Sequence, residues 1–259
     1  MDLGIKGRKA IVCASSRGLG RGCAIALAHA GVELVINGRD QAALERTAAE
    51  IRQSTGVAVT PVAADIATHE GQAAVLAACP KPDILVNNNG GPPYRDFREL
   101  DRSAMLQGVT MNMVTPIELI QQVIDHMTAQ GFGRIVNITS VSVKMPVSGL
   151  DLSSAARAGL TAFVAGVART VADRGVTINN LLPGYFDTDR MRSGLAATAQ
   201  RAGTPQDTVA AQRLAQIPAR RFGNPAEFGQ TCAFLCSVHA GYITGQSILM
   251  DGGVFPSTL

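Results

Sequence analysis

The stretch Lys9-Ala10-Ile11-Val12-Cys13-Ala14-Ser15-Ser16-Arg17-Gly18-Leu19-Gly20-Arg21-Gly22 decides how the chain folds. An apolar run leads into a turn of small residues, and the turn opens a helix. Gly18 and Gly20 let the backbone approach a phosphate closely, and Arg17 adds a full positive charge beside them. The amides at the helix N-terminus carry the positive end of the helix dipole. Such a turn suits a pyrophosphate. Glycine also closes ordinary strand–helix corners, so the rest of the chain must decide between the two.

Outward from this stretch, apolar runs alternate with helical spacing. Strands are expected at residues 8–14, 32–37, 57–62, 83–87, 134–139, 176–182 and 246–250. Helices are expected at 18–30, at 41–53 (Leu44, Ala48 and Ile51 share one face), in a short run ending at Cys79, and at 103–129, 152–173 and 225–237. Residues 188–222 read as polar and loosely helical. Strand followed by helix, repeated, predicts parallel strands joined by right-handed crossovers, with helices on both faces. No boundary, repeat or low-complexity tract interrupts the chain, so one domain over residues 1–259 is expected.

A hydrophobic fraction of 46% supports a large core. The net charge of +3, with no Lys/Arg run, makes no case for nucleic acid or a membrane surface. Residues 1–6 carry no signal-peptide pattern, and no apolar run reaches the ~18 residues of a membrane span. Cys13, Cys23, Cys79, Cys232 and Cys236 are scattered without a His/Cys cluster, so free buried thiols, no metal site and a cytoplasmic location are expected. His29, His69, His126 and His239 have no motif context and read as surface or cap residues.

The order of elements resembles the classical short-chain dehydrogenase/reductase family, from about Lys6 to Gly253. Residues Ser15 to Gly20 resemble that family's phosphate turn, with Cys13-Ala14 where it has Thr-Gly. Asp65-Ile66 resembles its adenine-contacting pair, and Asn87-Asn88-Asn89-Gly90 its Asn-Asn-Ala-Gly. Asn112 stands at a structural and catalytic Asn position, and the strand Arg134 to Thr139 ends at Ser140, the position of the catalytic Ser. Pro183-Gly184-Tyr185-Phe186-Asp187-Thr188 resembles the segment covering the nicotinamide, and Tyr242 to Gly253 the closing strand.

The resemblance implies a single-domain Rossmann fold with a doubly wound, seven-stranded parallel sheet and helices on both faces. It also implies a pyridine dinucleotide held by Ser15, Ser16, Arg17, Gly18, Leu19 and Gly20, with Arg39, Asp65, Ile66, Asn88, Gly90, Arg157, Pro183, Gly184 and Thr188. The substrate it implies is a small carbonyl/alcohol pair, as for 3-oxoacyl reductases. A homo-oligomer, tetramer or dimer, is implied through the helices at 103–129 and 152–173. NAD-preferring members end the second strand with a carboxylate that binds the ribose hydroxyls. Ile36-Asn37-Gly38-Arg39 has none there. Arg39 and Arg17 can fork onto a 2′-phosphate, so NADP(H) is the preferred cofactor and NAD(H) the alternative. Asp40 reads as the cap of the next helix.

One departure matters most. The family's Tyr and Lys, four residues apart, align here with Ser153 and Arg157. Arg157 keeps a charge and hydrogen-bond donors for the ribose. Ser153 is shorter and far less acidic than a phenol, and general acid catalysis wants a pKa near the working pH. Lys144 is one candidate acid, provided burial lowers its pKa; it would otherwise hold a substrate carboxylate or be solvated. Tyr185 and Tyr94 are others, and Ser140 remains a donor to a substrate carbonyl. Two readings stand: an NADP(H)-dependent oxidoreductase with an atypical proton donor, or a nucleotide- or partner-binding protein that has lost turnover.

Overall fold

In the computed structural model, which describes residues 1–92 and 94–257, seven strands form one parallel sheet. They are β1 (Lys9–Val12), β2 (Glu33–Gly38), β3 (Val59–Ala63), β4 (Ile84–Asn87), β5 (Gly133–Ile138), β6 (Val176–Pro183) and β7 (Ser247–Met250). Their order is β3-β2-β1-β4-β5-β6-β7, and each neighbouring pair is parallel. The winding reverses between β1 and β4. In open α/β sheets, ligands bind outside the carboxyl ends of the strands at that reversal.

Successive side chains of a strand point to opposite faces. Ala10 and Val12 of β1 therefore pack on one side with α1 (Gly18–His29), α2 (Gln41–Thr55) and α9 (Pro225–Leu235). Ile11 packs on the other side with α3 (His69–Ala78), α5 (Thr115–Gln130) and α6 (Asp151–Val171). Burial on both faces explains why these strands read as continuous apolar runs. Helices α1 and α9 touch backbone to backbone: a Cβ on Gly22 would lie 2.3 Å from the Pro225 carbonyl oxygen, and one on Gly229 2.1 Å from that of Gly22.

Polar residues cross the buried sheet in register. Asn87 Nδ2 donates to Asn137 Oδ1 (2.9 Å), Asn137 Nδ2 to Asn180 Oδ1 (3.1 Å) and Asn180 Nδ2 to Ser247 Oγ (3.3 Å). These residues are direct cross-strand partners on β4, β5, β6 and β7. The ladder gives most of these buried amide groups a partner, Asn87 Oδ1 being left without one, and it ties together the strands beneath the site.

Two expectations need correction. Residues 103–129 are not one regular helix: α4 (Arg102–Val109) passes through a π-helical turn, Thr110–Val114, into α5. Pro116 has no N–H for the Asn112 carbonyl, so a regular ladder cannot run through. Residues 188–222 are better ordered than their polarity suggests. They form α7 (Asp189–Ala202) and α8 (Gln206–Ala215), which share a small core of Leu195, Ala199 and Val209. All five cysteines are free and buried. Among the described residues no helix is long and apolar enough to cross a membrane.

Candidate active site

A cleft of about 950 Å³ opens at the carboxyl ends of the central strands. Ala14, Arg17, Gly18 and Leu19 line one end of it. Gly20 lies directly behind: a Cβ there would come within 2.5 Å of the Ala14 carbonyl oxygen and 2.8 Å of Asn88 Nδ2. Asn88 Nδ2 donates to that same carbonyl at 3.1 Å, so the β4 loop and the turn are stitched together. Ala14 has φ +43°, a left-handed conformation that costs a residue with a Cβ roughly 1 kcal/mol. Where the family resemblance expects glycine, this chain therefore carries strain. Helix α1 begins with no side-chain cap and no acid in its first turn, which leaves its leading amides open to an anion. The cradle fits the pyrophosphate of a dinucleotide.

The other turn residues act from outside the lining. Ser15 is fully buried; its Oγ donates to the Val12 carbonyl (2.7 Å) and accepts from Asn37 N (3.2 Å). The Ser16 carbonyl accepts from Thr47 Oγ1 (3.0 Å). Arg17 Nη2 lies 2.5 Å from Asp40 Oδ2, while Asp40 Oδ1 caps α2 by accepting from Ala43 N (3.0 Å). That backbone hydrogen bond, more than Arg17, holds the Asp40 carboxyl below its usual range. Both oxygens of Asp40 are thus engaged. Arg39 is exposed and stands 4.0 Å from Asp65, and Ile66 is buried in the core beside Ile11 and Cys13.

The floor is set by the end of β5 and by α6. Ser140 caps the 3-10 turn Val141–Val143, its Oγ accepting from Ser142 N at 3.1 Å. Ser153 and Arg157 lie four residues apart on α6 and so share a face. Arg157 Nε donates to Ser153 Oγ (3.2 Å) and Nη1 to the Ile138 carbonyl (2.7 Å). Each serine oxygen accepts one N–H, which leaves its own hydrogen free to donate. Ser140, Ser153 and Arg157 all line the cleft. Arg157 is 9% exposed, and no carboxylate within salt-bridge distance pairs with it among the described residues. Burial, reinforced by the charge of Arg190, pushes its pKa down to about 10, so the guanidinium stays charged at neutral pH.

The remaining candidates divide. Asn88, Gly90, Pro183, Gly184 and Thr188 line the cleft, and Thr188 also caps α7 by accepting from Met191 N (3.2 Å). Asn112 is buried in the π turn behind the cleft, where Nδ2 donates to the Gly108 carbonyl (3.3 Å) and Oδ1 has no partner. Lys144 does not fit the role proposed for it as an acid tuned by burial. It is exposed, its Nζ stands 5.7 Å from the Phe255 ring centre, and it is not among the lining residues. Tyr94 and Tyr185 line the cleft, and the Tyr185 hydroxyl accepts from Arg213 Nη1 at 2.8 Å.

Arg190 and Arg213 escaped the sequence reading. Arg190 reaches from α7 to the β4 loop, donating to the carbonyls of Gly91 (2.9 Å) and Pro92 (3.1 Å). Met191, Leu195 and Thr198, at helical spacing, were the available signal that one face of α7 closes the cleft. Among the described residues no group of three or more His, Cys, Asp or Glu is placed to hold a metal ion.

Comparison with known proteins agrees with this geometry. A family model described as enoyl-(acyl carrier protein) reductase matches residues 13–255. The 3-oxoacyl-[acyl-carrier-protein] reductase FabG of Vibrio cholerae is 32% identical over 257 residues, covering 98% of this chain and 99% of that protein. The acetoacetyl-CoA reductase of Shinella zoogloeoides is 32% identical over 252 residues, covering 96% and 98%. L-sorbose reductase from Gluconobacter frateurii, solved in complex with NADPH and L-sorbose, superposes with a TM-score of 0.93 at 27% identity, covering 99% of this chain and 100% of that one.

Proposed function

This chain belongs to the classical short-chain dehydrogenase/reductase family and is 3-oxoacyl reductase-like, and on that premise we propose that it is an NADP(H)-dependent oxidoreductase with an atypical proton donor. Its substrate pair is a carbonyl compound and the matching alcohol. The observation that carries the reading is the pair of serine hydroxyls, Ser140 and Ser153, each accepting one N–H and each free to donate into the same cleft.

The amides at the start of α1, with Gly18 and Leu19, hold the pyrophosphate. Arg39 meets the 2′-phosphate: its contact with Asp65 is long and exposed, and such pairs contribute ~0–1 kcal/mol, so a phosphate dianion displaces it readily. Asp40 is turned to the cap of α2 and to Arg17, one hydrogen bond on each oxygen. Arg157 takes over the ribose contact and the positive field of the absent lysine. NADPH, when bound, supplies the hydride.

Ser140 and Ser153 orient the substrate carbonyl oxygen and stabilise the negative charge that develops on it, a role that fixed donors fill well in a water-poor site. Ser153 then gives its Oγ proton to that substrate oxygen and takes one back from solvent water entering the cleft, and the charge of Arg157 behind it favours the transient serine alkoxide. Relatives of this chain act on 3-oxoacyl and acetoacetyl groups, which supports a 3-oxoacyl-like substrate. A homo-oligomer is supported by the exposed apolar residues Met105, Leu106 and Phe163 on α4 and α6.

The second reading, a binding protein without turnover, draws on the absence of a phenol at Ser153. One assay separates the two. NADPH oxidation is followed over a panel of 3-oxoacyl thioesters and small ketones, alongside calorimetric titration of NADPH and NADH. Ketone-dependent oxidation supports the enzyme. Binding with no oxidation across the panel supports the second reading, and no binding of either cofactor overturns both.

A further inference from the structure

We propose that Arg213 and Tyr185 form a carboxylate-binding subsite, so that the carbonyl compound reduced here is an oxo acid with a free carboxylate. The proposal rests on the oxidoreductase reading above and names its substrate class.

Arg213 is fixed by a single neighbour in two ways. Its Nη1 donates to the Tyr185 hydroxyl at 2.8 Å, and its Cζ lies 4.7 Å from the centre of the Tyr185 ring. Stacking and the hydrogen bond together orient the planar guanidinium before any ligand arrives. Nε and Nη2 remain free of any hydrogen bond among the described residues. The Tyr185 oxygen already accepts from Arg213, so its hydrogen is left to donate outward. Arg213 and Tyr185 both line the cleft. A guanidinium edge beside a phenolic O–H is a surface of donors only, which matches a carboxylate and repels a cation.

Two further features favour an anion at this place. No carboxylate pairs with Arg213 among the described residues, whereas the exposed Arg192 of α7 is held by Asp187 and Asp189. Tyr185 directly follows Pro183-Gly184 at the end of β6, so the backbone of the subsite is anchored at the carboxyl end of the sheet, and its two side chains line the same cleft as Ser140 and Ser153. The free carboxylate of a small oxo acid can meet donors that line the same cleft as the serine hydroxyls.

Isothermal titration calorimetry on the full chain tests this, with and without saturating NADP⁺, which cannot reduce the probe. The probes are 2-oxobutanoate, acetoacetate and 4-oxopentanoate, each against its methyl ester, with inorganic phosphate as competitor. We expect at least one acid to bind tenfold or more tightly than its ester. That preference should fall at least tenfold in Arg213→Gln and severalfold in Tyr185→Phe, while NADPH affinity is unchanged in Arg213→Gln. Equal binding of acids and esters, no binding of any acid, a preference that survives both substitutions, or displacement by phosphate at equal concentration overturns the subsite. Loss of NADPH binding in the unmodified chain would instead overturn the oxidoreductase reading, and the titrations without cofactor still judge the subsite.

Discussion

Arg157 Nε and Ser153 Oγ stand 3.2 Å apart, one turn of α6 apart in sequence, at the positions where the family resemblance leads one to expect a lysine and a tyrosine. Ser153 lines the cleft, so a longer side chain at this position extends toward it. The double substitution Ser153→Tyr with Arg157→Lys restores the usual acid. Positioned general acids contribute about 10²–10⁴-fold. We therefore expect ketone reduction by NADPH to rise by at least tenfold in steady-state assays. An unchanged rate would mean that proton delivery does not limit turnover.

The same arginine is a source of instability. A guanidinium that is 9% exposed, with no carboxylate beside it, leaves desolvation of its charge uncompensated. Arg157→Met removes that charge while keeping most of the side-chain volume. Loss of the bonds to Ile138 and Ser153 offsets part of the gain. A net stabilisation of about 1 kcal/mol is expected from denaturant melts, together with weaker NADPH binding in titration.

Just after β2, Arg39 is exposed with only a 4.0 Å contact to Asp65, while Arg17 pairs with Asp40, and Arg39 is the residue proposed for the 2′-phosphate. Hydrogen bonds to charged groups contribute ~1.5–3 kcal/mol. Arg39→Ala should weaken NADPH binding by about tenfold or more and leave NADH within a factor of two. Equal losses for both cofactors would remove the 2′-phosphate assignment.

Acid stability has one traceable contributor. Glu227 accepts from both Nη atoms of Arg221 (2.6 and 2.7 Å) and from Asn224 N (2.9 Å), closing the capping box of α9. These bonds, Arg221 first, hold its pKa at about 2, below the ordinary 4.5. A depressed carboxylate stabilises the fold above its unfolded pKa, and that contribution is lost as the pH falls from about 4.5 toward 2. Because the pair is exposed, the effect is modest and weakens with salt. Glu227→Gln should flatten this part of the acid limb in melts recorded across that pH range.

The strand–helix alternation, the place of Ser140 after β5 and the shared helix face of Ser153 and Arg157 were legible because each depends on near neighbours in sequence. Helical periodicity places residues four apart on one face, and strand periodicity sends Ala10 and Ile11 to opposite sides of the sheet. The π turn at Thr110–Val114 was missed, although Pro116 signals it, because the long apolar pattern runs through it unbroken. Lys144 was misjudged for another reason: a short loop after a strand can turn toward the cleft or away from it, and sequence spacing does not say which.

By itself the sequence determined the kinds and order of the elements, the glycine turn that opens α1, and the absence of a tyrosine four residues before a lysine. Only the tertiary structure decided that Arg157 is buried without a carboxylate, that Arg17 is taken by Asp40, and that Arg213 is braced on Tyr185 across 28 residues of chain. Local preference is a property of a few consecutive residues. The charge balance of a cavity depends on which groups from distant segments are folded into the same low-dielectric space, and that is known only once the chain has closed around it.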